Sequence, residues 1–270
     1  EQHGMAMARN ALQTLGYATR GVNAGSLAQA LPACAVLVAA GPRTPFGDDD
    51  AQALRQWTAF GGKTLLLLEP DTRHGLEALL GDFGIARPPG ALVDPGSHYR
   101  NDPGSPAVSD YTRHKMTRGL PLSFFPGAAG LEPAGDSLPQ GVVVTPLAQT
   151  SVQAHLPGQP AGRYTLMALA TRNAQAASVD GAAHPALLVV GDSDFATNRH
   201  FATLGNGALF TSAVTLLAGQ DALLTIRPRH YEGRRVELTN RQMRTVFWTS
   251  TVALPLLALM LGLLLWWRRR

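Results

Sequence analysis

The chain contains a single cysteine, Cys34. That excludes an internal disulfide framework, a cysteine-based zinc site and CxxC redox chemistry. Cys34 also stands before a strand-like run instead of on a sharp turn at its C-terminal end, which argues against a glutaminase-type nucleophile. Charged residues are sparse, at 16%, and aromatics amount to 7%. The eight histidines (3, 74, 98, 114, 155, 184, 200 and 230) show no HxxxH or HxH spacing. Asp192 and Asp194 fall short of a calcium ligand set, so no metal is expected. No Gly-x-Gly-x-x-Gly follows a strand-like run, and no cofactor is expected. A phosphate loop is missing too. Gly61-Gly62-Lys63-Thr64 imitates one, but the leading glycine would fall on Trp57, and the order helix, glycines, strand reverses what phosphate binding needs. The sequence opens on Glu1, as a chain numbered from inside a longer precursor would.

What is present is apolar: 45% of 270 residues are hydrophobic, too many for disorder despite 28 Gly and 19 Pro. Charge is unevenly placed. Up to residue 226 there are 14 Lys and Arg against 17 Asp and Glu, a net of −3. From Arg227 to the end, nine Arg face only Glu232 and Glu237, a net of +7. The globular part therefore lacks the basic face that nucleic-acid binding requires, and no nucleic-acid partner is expected. Arginines beside an apolar stretch fit a membrane interface.

Residues 246–267 (VFWTSTVALPLLALMLGLLLWW) carry no charge over 22 positions. At 1.5 Å per residue this is about 33 Å, enough for a hydrocarbon core of about 30 Å. Trp248 at one end and Trp266 and Trp267 at the other suit an aromatic belt, and Arg268, Arg269 and Arg270 follow at once. Pro255 is expected to kink the helix or free a carbonyl for a neighbour, and Gly262 to permit close packing. The terminal arginines point to a cytoplasmic C-terminus. Arg227, Arg229, Arg234, Arg235, Arg241 and Arg244 oppose this by count, although large domains translocate largely regardless of charge.

Ahead of the span, periodicity alternates between helix and strand. Residues 5–17 place Met5, Ala8, Leu12 and Leu15 on one helical stripe. Residues 35–40 (AVLVAA) are wholly apolar, as a buried parallel strand is, and residues 64–68 (TLLLL) read as the next buried strand. Helices are predicted over 48–60, opened by Asp48, Asp49 and Asp50 as a solvated, dipole-favoured first turn and stopped by Gly61-Gly62, and over 75–83. Residues 88–141, rich in proline and glycine, read as a long irregular insertion or second lobe and not as a separate domain. Strands are predicted at 142–145, 164–171, 186–190 and 223–226, and helices at 196–203 and 209–218. The fold class expected is α/β, a mainly parallel sheet flanked by helices. The organisation is a soluble domain over 1–226, a basic juxtamembrane segment over 227–244, a transmembrane helix over 245–267 and a basic end over 268–270.

Open α/β sheets bind ligands beyond the carboxyl ends of their strands. The candidate ligand- or partner-binding residues are therefore Gly41 and Pro42, Glu69 and Pro70, and Asp192, Ser193, Asp194 and Asn198. Gly191-Asp192-Ser193-Asp194 superficially suits a serine hydrolase, with His200 or His74 (paired with Asp71) as base. The His74 block lies upstream of the serine, and two flanking aspartates would oppose an oxyanion. Helix capping by Asp192 or Asp194 is the competing structural role, and no catalytic residue is assigned.

Six phrases in order resemble one family: residues 36–70, VDPGS (93–97), YTRHKMTRGL (111–120), LLVVGDSDFATNRHF (187–201), 205–229 and 254–270. Together they are similar to the auxiliary subunits of gliding-motility-type (GldG-like) ABC transporters. The resemblance implies a class I glutamine-amidotransferase-like domain without the catalytic cysteine, related to a domain of intraflagellar-transport proteins. It also implies an extracytoplasmic, periplasmic position at a bacterial cytoplasmic membrane, a second span near the N-terminus, and partnership with an ABC permease and a separate ATPase. This chain would bind no ATP. Two other readings remain at this level: a structural scaffold bridging membrane proteins, and a membrane-anchored hydrolase using Ser193.

Overall fold

The computed structural model describes residues 3–135, 137–173, 183–220 and 239–269. In chain order the elements are α1 (Ala6–Thr14), α2 (Leu27–Ala30), β1 (Leu37–Ala40), α3 (Asp48–Ala59), β2 (Thr64–Leu67), α4 (Glu77–Asp82), β3 (Ile85–Ala86), β4 (His98–Tyr99), β5 (Asp102–Val108), β6 (Ser123–Phe124), β7 (Glu132–Pro133), β8 (Val142–Gln149), β9 (Thr165–Asn173), β10 (Ala183–Val190), α5 (Asn206–Leu217) and α6 (Asn240–Arg268). The strand expected at 223–226 and Arg227, Arg229, Arg234, Arg235 and Arg270 lie outside the described residues.

The main sheet has the order β1-β2-β10-β9-β8. β1 and β10 pair with β2 in parallel, while β9 is antiparallel to both β10 and β8. The sheet is thus parallel-rich but mixed. The reason lies in the connections: residues 174–182 join β9 to β10, and nine residues are too few for the crossover a parallel pair demands. β8 forms one edge, with Pro146 inside it, register shifts on either side of Ala148, and Val143 half exposed.

β2 is buried along its whole length, and its alternate residues serve two cores. Leu65 and Leu67, with Leu188 and Val190 of β10, face α1, α5 and the Pro/Gly-rich segment. Leu66 and Leu68, with Leu187 and Val189, face α2, α3 and α4. Helices cover both faces, which is why the strand runs read as almost continuously apolar.

Three local readings need correction. Residues 88–141 are not simply irregular: they supply β4–β7, and Leu92, Val108, Met116 and Phe125 enter the main core. Asp94 explains part of this order. It is fully buried, with Oδ1 accepting from the Gly96 and Ser97 amides and Oδ2 from the Ser151 amide. Residues 196–203 are not a helix but a 3₁₀ turn at Asp194–Ala196 followed by turns. Thr197 is extended, and its hydroxyl takes the Asp194 carbonyl, competing with helix continuation. Finally, Asp50 is not solvated. It is buried and accepts amides of Gly25 and Leu27, anchoring the start of α2, whereas Asp48 and Asp49 are exposed.

The glycine stop after α3 has a visible steric cause. A Cβ on Gly62 would enter the Trp57 ring, and the Gly62 amide closes the helix on the Trp57 carbonyl.

α6 is a 29-residue helix whose 18-residue apolar window has a mean hydropathy of 1.9, and none of that window is buried. It is the one helix among the described residues long and apolar enough to cross a membrane. Residues Trp248–Ala253 form a π-helical stretch that ends two residues before Pro255, where a missing N–H disturbs the backbone ladder. The Thr249 and Ser250 hydroxyls donate to the Thr245 and Val246 carbonyls, occupying acceptors in that stretch. Gly262 lies in a shallow apolar groove with Ala258, Leu259, Leu263 and Trp266.

Candidate functional site

Because β1, β2 and β10 are parallel, their carboxyl ends emerge at one edge of the sheet. The ladder aligns them: the Gly41 amide donates to Leu67 O, and the Leu68 amide to Val190 O. This brings Gly41, Glu69, Asp192, Ser193 and Asp194 together. Gly41 has φ +50, and a Cβ there would collide with Ser193 Oγ, so glycine is required for the close approach.

At the centre, Glu69 Oε1 accepts from both the Ser193 amide (3.0 Å) and the Ser193 hydroxyl (2.5 Å). Asp192 is fully buried; its Oδ1 accepts from the Asp194 amide and its Oδ2 from the Phe195 amide, capping the 3₁₀ turn. Burial first, and then the Glu69 charge, hold the Asp192 carboxyl well above the ordinary carboxylate range. Burial also raises Glu69; its bonds with Ser193 and the charge of Arg43 oppose this, while Asp194 adds to it.

The outer candidates are engaged in structure. The Pro70 carbonyl accepts from the Arg87 guanidinium, which also reaches Thr72 O. Asn198 Oδ1 accepts from the Met7 amide and its own amide donates to Gly4 O, so it secures the start of α1. Pro42 is half-buried beside Gly41.

Nucleophilic chemistry at Ser193 needs a base, and the group its hydroxyl meets is the Glu69 carboxylate. Among the described residues no histidine bonds to that hydroxyl. His200 lies edge-on to Phe124 with centroids 5.3 Å apart, and burial lowers its pKa. His74 is buried with Nδ1 accepting from the Leu76 amide, and Asp71 accepts from Gly90. Cys34 donates to Ala30 O ahead of β1. No group of three or more His, Cys, Asp or Glu able to hold a metal occurs among the described residues.

Sequence reasoning found the edge but missed the Glu69–Ser193 bond, Asp50 and Asp94. The Asp-Pro-Gly-Ser string around Asp94 was a legible side-chain turn signal. The pairing of residues 124 positions apart left no local trace.

The carboxyls predict a pH dependence. The native state keeps protons on Glu69 and Asp192 at pH values where the unfolded chain has lost them, so the stability these two groups contribute is fully present below the unfolded carboxylate range. It falls as pH rises through the raised native values. Glu69→Gln retains the acceptor oxygen and removes the charge. It is expected to flatten this fall in thermal unfolding followed from about pH 4 to pH 8.

The fold and edge define an α/β domain, parallel-rich and covered on both faces, carried with a C-terminal apolar helix. No protein-family model matches the chain, and no curated protein matches it. Among solved structures it is similar to the mmIFT52 N-terminal domain, with TM-score 0.63 and 17% identity over 80% of this chain and 90% of that one. This is a likeness of fold.

Proposed function

We propose that the chain is a non-catalytic, membrane-anchored accessory subunit of an ABC transporter of the GldG-like kind. The observation that carries this reading is α6, long, apolar and wholly unburied, attached to an α/β body. Its apolar surface needs lipid or other helices, and Pro255, Gly262 and the π-helical stretch suit packing on a permease. Trp248, Trp266, Trp267 and Arg268, Arg269 and Arg270 would mark the two interfaces. The body is proposed to lie on the extracytoplasmic side of a bacterial cytoplasmic membrane and to be class I amidotransferase-like without its cysteine. The fold likeness to the mmIFT52 domain supports the part of the resemblance that concerns intraflagellar-transport proteins. ATP hydrolysis would come from a separate subunit. The sheet edge at Gly41, Glu69 and Ser193 would meet a substrate or an envelope partner.

A hydrolase pairing Ser193 with a histidine is disfavoured, because the serine hydroxyl donates to Glu69 and no histidine among the described residues bonds to it. A serine-reactive phosphonate is expected to leave the purified chain unlabelled; labelling abolished by Ser193→Ala would establish the hydrolase instead. The transporter reading is checked by extraction in mild detergent. Recovery of a permease and an ATPase with the chain is expected, and their absence would refute it.

A further inference from the structure

We propose that the basic turn over residues 109–118 docks on anionic headgroup phosphates of the bilayer that α6 spans, held there by the Ser109–Gln242 contact. This rests on the membrane reading of α6. Thr239 is buried, and it forms a reciprocal cap with Gln242: the Gln242 amide donates to Thr239 Oγ1, and the Thr239 amide to Gln242 Oε1. The Gln242 side-chain amide also donates to Ser109 Oγ at 3.4 Å. The helix therefore begins against the body, at the point where this turn starts.

The depth follows from helix rise. Gln242 lies one turn, about 6 Å, before the charge-free stretch opens at Val246. That is roughly the thickness of the polar layer on each side of a hydrocarbon core. Ser109 consequently sits at headgroup level.

From there the chain folds into a compact turn. The His114 amide donates to Thr117 Oγ1, the Thr117 hydroxyl to Thr112 O, and the Thr112 amide to Leu147 O. Met116 and Leu120 are buried beneath it, while Arg113 and Arg118 are exposed and form no ion pair among the described residues. Arg241 and Arg244, also exposed, add charge at the same level. The single acid within the turn is Asp110. A cluster of this sign on a turn that starts at headgroup level attracts anionic lipid, with a reach set by a Debye length of about 8 Å.

The test uses the full chain in nanodiscs of phosphatidylcholine alone, or with roughly one third phosphatidylglycerol. Tryptic cleavage after Arg113 and Arg118 is timed by mass spectrometry, with exposed Arg20 as reference. Cleavage at both sites is expected to be on the order of tenfold slower in the anionic discs, with Arg20 unchanged and the difference abolished near 1 M salt. Equal rates in the two discs, or a slowing shared by Arg20, overturn the docking and leave the membrane reading intact. A chain that co-elutes with neither disc overturns both.

Discussion

A chain carrying Leu256→Arg and Leu259→Arg is expected to leave the membrane fraction. Both positions lie near the middle of the charge-free stretch and are more than half exposed. A central arginine costs about 2.5–3.5 kcal/mol on insertion scales, so the pair costs about 5–7 kcal/mol. The body does not depend on the helix for its two cores, since no α6 residue belongs to either. The variant should therefore remain folded while losing its anchor. Carbonate-washed membranes, probed for the chain, check the first point, and circular dichroism of the released protein checks the second. Retention in washed membranes would mean that α6 is not what holds the chain there.

The second large effect is on stability. Phe195→Ala should cost about 3–5 kcal/mol, the range for truncating a buried aromatic. Phe195 is 1% exposed, packs on Phe125 with centroids 5.7 Å apart, and follows directly on the acids of the sheet edge. Its amide is bonded by Asp192, so the cavity would open beneath the edge itself. A fall in melting temperature on the order of 10 °C is expected, measurable by scanning calorimetry. A conservative Phe195→Leu change should recover most of it.

These effects show which parts of the molecule were legible in the sequence. β2 was readable because Leu65, Leu66, Leu67 and Leu68 send alternate side chains into two apolar layers, leaving Thr64 as the one polar position of the strand. α3 was readable because its acids and its glycine stop are local chemistry. The direction of β9 was not, since alternation looks the same in parallel and antiparallel strands; only the length of residues 174–182 bears on it. The Pro/Gly-rich segment misled for a related reason. Its order comes from Asp94 reaching Ser151, a contact across 57 positions that periodicity cannot register.

The candidate edge divides in the same way. That Gly41, Glu69 and Ser193 would meet followed from placing them after parallel strands. That Ser193 would be bound by Glu69, and that Asn198 would serve α1, depended on tertiary placement alone. Asp50 looked like its neighbours Asp48 and Asp49 in a helix-opening run, yet it alone turns inward to Gly25 and Leu27.

The construction of β8 bears on crowding. Copies that α6 would confine to a membrane plane, as proposed, meet far more often than copies in free solution, and an open strand edge invites chain-to-chain zippering. Pro146 presents no N–H, and the shifts around Ala148 break the spacing that an incoming strand would need to match. The edge is thereby blunted against fibre-like stacking.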